Sequence, residues 1–232
     1  AADSGEEIPA QPNKAYGFIV VSIGDGLNEI FRGLNVDYII EGGQTMNPST
    51  DDFLQGIRRM NADHVVILPN NGNVILSANQ AAGLTKDKEV TVIPTKTICE
   101  GISCLVNYVP QDDLKAAVDI MTEGIGAVST IEVTYAIRDT MIDDVQIRKD
   151  DYIALSGKSL LSAGKDLNAV VKEAVGKTLT EDSYLVTLYY GDSVEEEAAG
   201  LLASELSEIS GDTEVESILG GQPVYYYIIS VE

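Results

Sequence analysis

Residues 41–57, EGGQTMNPSTDDFLQGI, bring together side chains that can hold a polar ligand but none that can attack one. Gln44, Thr45, Asn47 and Ser49 supply hydrogen-bond donors and acceptors, and no hydroxyl there has a base beside it to make it a nucleophile. Gly42 and Gly43 permit backbone conformations that a Cβ would block. Three further segments have the same polar, backbone-rich character: Gly24-Asp25-Gly26, Asn70-Asn71-Gly72-Asn73 and Thr95-Lys96-Thr97. Lys96 is the one obvious cation among them. A second Gly-Gly-Gln occurs at Gly220-Gly221-Gln222, followed by Pro223, and reads as a glycine turn that could also carry a polar loop to the interface between lobes. The chemistry these residues suit is recognition, with backbone N–H groups and helix N-termini favouring a carboxylate or phosphate.

Other patterns resolve into structure rather than catalysis. Gly24-x-Gly26 is not a dinucleotide fingerprint, since its third glycine would fall at Glu29, and no GxxxxGK[ST] phosphate loop occurs. His64, the single histidine, opens a strand and reads as a solvated structural residue. Asp143-Asp144 reads as a hairpin turn, and Glu195-Glu196-Glu197 as the first turn of a helix. Tyr225-Tyr226-Tyr227 has strand periodicity, with one face for the core and one for the surface. Cys99 and Cys104, five positions apart on an expected helix, are too distant for a disulfide. Buried thiols in a reducing cytoplasm are therefore expected, and the chain offers too few nitrogen and sulfur ligands for zinc.

The elements that must position the polar loops alternate regularly. Strands are expected at Tyr16–Ser22, Asp37–Glu41, His64–Leu68 and Val90–Ile93. Helices are expected after Gly26, over about 50–60 with Ser49 or Thr50 as cap, and over 74–83. The strands are near-continuous apolar runs, which mark a parallel sheet covered on both faces. Helices at about 98–108 and 112–127 follow, and then the pattern changes. Ile131–Ile137 alternates apolar and polar, 139–163 breaks into short strand-like pieces, and Asp166 caps a helix to about Leu179. A strand at Tyr184–Tyr190, an acidic helix at Glu195–Ile209 and strands at Thr213–Ile218 and Val224–Val231 complete the chain. The reading is α/β: a parallel lobe over 15–127, then a second α/β lobe over 128–232 with a mixed or antiparallel sheet. Residues 1–14 carry Pro9 and Pro12 and lack the basic start and apolar middle of a signal peptide, so they read as a linker or expression remnant.

The 232 residues carry 37 acidic against 15 basic side chains, a net charge of −22. That balance opposes nucleic acid and anionic membrane, because phosphate binding needs clustered Lys and Arg. It suits solubility, or an acidic face that meets a basic partner protein. No apolar run is long enough to span a bilayer.

EGGQTMNPST at 41–50, VVILPNNGNVILSANQAA at 65–82, VIPTKTICEGI at 92–102, YAIRDT at 135–140 and GGQPVYYYIISVE at 220–232 resemble one bacterial protein class. It is the C-terminal region of the dihydroxyacetone-kinase-like ATP-binding subunit of fatty acid kinase (the FakA or YloV type), and the resemblance spans residues 15–232. A more distant similarity links the region to the DegV-type acyl-binding proteins, in which a TSQPS-like loop takes the place of GGQTMNPST. The resemblance implies a DegV-like two-lobed fold and a role in lipid metabolism through protein–protein interaction. It implies a part of a kinase subunit without the domain that handles ATP and magnesium, and so no cofactor in this chain and no catalysis by it alone. The implied partners are a DegV-type fatty-acid-binding protein and the remainder of the kinase subunit. In DegV-type relatives a Ser/Thr, Arg and His set surrounds the fatty-acid head group, and His64 does not sit in a matching motif. Two roles are therefore expected: docking of the acyl-carrying partner, with Gly42, Gly43, Gln44, Thr45, Asn47, Ser49, Asn70, Asn71, Thr95, Lys96 and Gln222 as candidate contacts, or binding of a small ligand or fatty acid in a cleft between lobes.

Overall fold

A computed structural model describes residues 14–43, 46–110 and 113–232. In chain order the elements are β1 (Lys14–Ser22), α1 (Asp25–Gly33), β2 (Tyr38–Glu41), α2 (Thr50–Arg59), β3 (Ala62–Leu68), α3 (Ile75–Leu84), β4 (Glu89–Val92), α4 (Ile98–Val106) and α5 (Leu114–Gly126). There follow β5 (Ser129–Tyr135), β6 (Thr140–Ile142), β7 (Val145–Ile147), β8 (Tyr152–Ser156), β9 (Ser159–Gly164), α6 (Leu167–Thr178), β10 (Leu185–Tyr190), α7 (Glu196–Ile209), β11 (Glu214–Leu219) and β12 (Tyr227–Val231).

The apolar runs of the first half form a four-stranded, all-parallel sheet in the order β2-β1-β3-β4. Ile19, Val21, Ile40, Val65 and Ile67 pack from it onto Phe53 and Ile57 of α2 and Ala78 and Ala81 of α3. The alternate residues Phe18, Val20, Val66 and Leu68 are buried as well, as a sheet covered on both faces requires. Helix α2 holds its position through Phe53, Gly56 and Ile57, three buried residues at helical spacing. Asp51 and Asp52 in its first turn and Arg58 and Arg59 in its last both suit the helix dipole.

The alternating second half forms a six-stranded mixed sheet, β11-β10-β12-β5-β8-β9, in which only β10 and β11 run parallel. Its larger core joins Ile131, Val133, Val186, Leu188 and Ile229 to Val171 and Val175 of α6 and Leu202 and Leu206 of α7. Asp166 caps α6, accepting a hydrogen bond from the Ala169 N–H at 2.9 Å. Strands β6 and β7 make a separate hairpin, and Asp143 and Asp144 both take positive φ in its two-residue turn, 49° and 63°.

Contacts divide the chain into two compact units. The first holds the described residues up to Ser22 together with Asn35–Lys96, and the second holds Ile23–Leu34 and Thr97–Glu232. This differs from lobes over 15–127 and 128–232: α4 and α5 belong to the second unit, and so does α1. Leu27 of α1 and Cys99 of α4 share a buried cluster with Tyr189 and Ile228 of the second sheet. A helix's apolar stripe says that it must be covered, not by which sheet.

Candidate functional site

The polar residues of the first unit lie where β1, β3 and β4 end and α2 and α3 begin. Asn70 takes φ 54°, a left-handed conformation that asparagine tolerates. Its N–H donates to Thr95 Oγ1 at 3.0 Å, the Thr95 hydroxyl donates to Asn70 Oδ1 at 2.9 Å, and Asn70 Nδ2 donates to the Val21 carbonyl at 3.1 Å. These bonds tie the ends of three strands together, and both side chains are buried. Asn71, also buried, accepts from the Asn73 N–H at 2.9 Å and donates from Nδ2 to Asn47 Oδ1 at 3.3 Å. The Asn71 carbonyl accepts from the Val74 N–H at 3.1 Å at the entrance to α3. Lys96 is exposed and packs its stem near Gly72.

The loop before α2 is equally constrained. Gly42 N–H donates to the Ser22 carbonyl at 3.1 Å, and a Cβ at Gly42 would lie 2.7 Å from the Pro48 ring. Gly43 and Met46 exchange two backbone hydrogen bonds, of 3.1 and 3.2 Å. Gln44 and Thr45 lie outside the described residues. Ser49 forms a capping box with Asp52: its Oγ accepts from the Asp52 N–H at 3.3 Å, and its own N–H and hydroxyl donate to Asp52 Oδ2, each at 2.7 Å. Those donations from Ser49 hold the Asp52 carboxyl below the usual carboxylate range. Ser49 thus serves the helix, with its hydroxyl proton already engaged. Tyr38, Ile39, Ile40 and Glu41 of β2 border a cleft of about 430 Å³ with Met46, Asn47, Pro48, Asp52 and Gln55.

Two of the expected loops belong to the second unit. Gly24-Asp25-Gly26 follows β1 in the chain but starts α1 against the Leu219–Gln222 backbone. The Leu27 N–H donates to the Gly220 carbonyl at 2.9 Å, and a Cβ at Gly26 would lie 1.9 Å from the Leu219 carbonyl oxygen. Only glycine lets two backbones approach this closely. Thr97 caps α4 by accepting from the Glu100 N–H at 3.1 Å and shares a 2.8 Å hydrogen bond with the Thr130 hydroxyl. Gln222 is 1% exposed and donates from Nε2 to the Tyr189 carbonyl at 2.8 Å, so its amide serves the interior of this unit. Among the described residues, no group of three His, Cys, Asp or Glu side chains is placed to hold a metal ion. His64 Nδ1 lies 3.0 Å from Glu89 Oε2 on the neighbouring strand, and its ring packs on Tyr16. Both cysteines are free and buried.

One group with unusual chemistry escapes a reading of the sequence. Glu132 alternates with Ile131 and Val133 as a solvent-facing residue would, yet it pairs with Ile228, which packs under Leu27 and Cys99. Helices cover this face of the second sheet too, and burial pushes the Glu132 carboxyl up to about 7. Strand alternation marks the two faces of a sheet, and nothing local marks a helix laid over the second one.

Residues 17–232 match the family of FakA-like C-terminal domains of fatty acid kinase, and the chain belongs to that family. It is 38% identical over 217 residues to protein YloV of Bacillus subtilis, covering 94% of this chain and 39% of that one. It is 39% identical over 214 residues to the uncharacterized protein SAB1090 of Staphylococcus aureus, covering 92% of this chain and 39% of that one. The chain therefore spans about two-fifths of the length of these curated relatives. Among solved structures it resembles the DegV family protein Cg2579 of Corynebacterium glutamicum, at a TM-score of 0.64 and 14% identity over 94% of this chain and 96% of the other. A structure reported for fatty acid binding of a DegV family protein from Thermus thermophilus gives a TM-score of 0.64 at 16% identity, covering 94% and 99% of the two chains. The fold is that of the DegV proteins.

Proposed function

We propose that this chain is the non-catalytic C-terminal domain of a bacterial fatty acid kinase subunit, and that it docks a DegV-type acyl-binding partner so that the bound acyl group can be phosphorylated. The observation that carries the reading is membership of the FakA-like C-terminal family of fatty acid kinase over residues 17–232. The state of the polar loops supports it. Asn70, Thr95 and Ser49 spend their hydrogen bonds on strand ends and a helix cap, which leaves a shaped, rigid surface rather than a set of reactive groups. ATP and magnesium belong, on this reading, to the part of the subunit outside this chain. A cytoplasmic location accords with two reduced, buried cysteines.

Association of the purified chain with a purified acyl-binding protein of DegV type tests the docking role. Binding is expected, and its absence across a range of salt refutes it. Calorimetric titration with ATP and magnesium is expected to show weak binding or none, and a low micromolar dissociation constant overturns the non-catalytic assignment. The second reading, a fatty-acid-binding module, draws on the fold shared with the Thermus thermophilus protein. Titration with a fatty acid in the absence of any partner separates the two, since saturable binding at one site per chain favours the module.

A further inference from the structure

We infer that the outer edge of β2 seats an extended segment of the acyl-binding partner, with a basic side chain of that segment facing Glu41 and Asp52. The inference rests on the docking role and adds its surface. Strand β2 closes one side of the parallel sheet, and among the described residues no strand pairs with its outer side. All four of its residues, Tyr38 to Glu41, border the cleft of about 430 Å³. Successive side chains of a strand point to opposite faces, so a cleft that meets all four runs along the strand's edge rather than over one face. An extended polypeptide is the occupant that such an edge takes, through main-chain hydrogen bonds.

Charge identifies the segment. Glu41 and Asp52 line the cleft, and among the described residues no Lys or Arg does. Ser49 donates to Asp52 and keeps it ionised to low pH. The whole chain is at −22, so a second copy would bring the same acidic edge against this one, whereas a basic segment gains from both carboxylates. Met46, 53% exposed in the lining of the cleft, offers an adaptable apolar contact as well.

The test titrates a purified DegV-type acyl-binding protein against the chain and two cleft variants at low and moderate salt. Glu41→Lys reverses the charge, and Gln55→Trp fills the cleft from an exposed position on α2 without changing it. Each is expected to weaken association by about tenfold or more, and Glu41→Lys to reduce the salt dependence where Gln55→Trp leaves it unchanged. Glu181→Lys, an exposed reversal in the second unit, is expected to stay within about twofold. Thermal melts that match the parent show that the variants are folded. If the parent binds and both cleft variants bind equally well, the β2 edge is not the seat, although docking stands. If the parent does not bind at all, both ideas fall. If light scattering shows the parent self-associating and Glu41→Lys abolishing it, a second copy occupies the edge and the inference is overturned.

Discussion

The tripeptide Gly-Gly-Gln occurs twice in this chain, and the two copies do different work. At Gly42-Gly43 it ends an edge strand and opens the loop that feeds α2. There the Pro48 ring is what excludes a Cβ from Gly42, whose φ is not positive. At Gly220-Gly221-Gln222 it is packed from within. Gly221 takes φ 68°, Gly220 and Gly221 both donate to the Tyr190 carbonyl, and the Gln222 side chain is sealed against Tyr189. The start of α1 lies on this loop, backbone to backbone. The first copy shapes a surface, the second a core. What distinguishes them is the partner that each backbone meets, which the tripeptide does not encode.

The largest test of this contrast is Gly26→Val. Its Cβ would meet the Leu219 carbonyl, a backbone atom with no rotamer to give, so a loss of about 3 kcal/mol or more in denaturant unfolding is expected. A variant as stable as the parent would mean that α1 is not seated on the 219–222 backbone. Gly221→Val, at positive φ and packed in the core, should cost about 1–3 kcal/mol, whereas Gly42→Ala, at ordinary φ against a proline ring on the surface loop, should cost less. Equal melts for those two would erase the distinction between the copies.

The burial that encloses the second region has a pH signature. The Glu132 carboxyl is raised from 4.5 to about 7 by desolvation. Between those values the folded chain keeps a proton that the unfolded chain releases, so this group's contribution is full below about pH 4.5 and falls as pH rises through about 7. Glu132→Gln should remove that slope and, at pH 8, leave the chain more stable by up to the order of 3 kcal/mol. Identical stability–pH curves for parent and variant would show that water reaches this face. The smallest expected effect belongs to the first region: Ser49→Ala, losing the cap of α2, should cost about 1 kcal/mol by the same melts. A larger loss would mean that the loop before α2 is as integral to the core as the loop at 220–222.

Much of this molecule was legible along the chain. Apolar runs separated by helical patterns determined a parallel sheet, alternation after Ile131 determined a mixed one, and Ser49 and Asp166 announced their helices, because each signal depends on neighbours within a few residues. The motifs at 41–50, 65–82, 92–102 and 220–232 pointed to the family in the same way. Tertiary structure alone decided the rest. It gave α1 to the second unit although α1 sits between two strands of the first sheet. It turned Gln222 inward and covered Glu132 on a face that strand alternation presents as polar. It made β2 an edge, because strand order in a parallel sheet depends on crossovers rather than on residue pattern. Local sequence specifies which surfaces must be buried and which turns can form. Which element buries them is settled by packing among residues far apart in the chain, where a missing Cβ at Gly26 or an added helix over Glu132 changes the outcome.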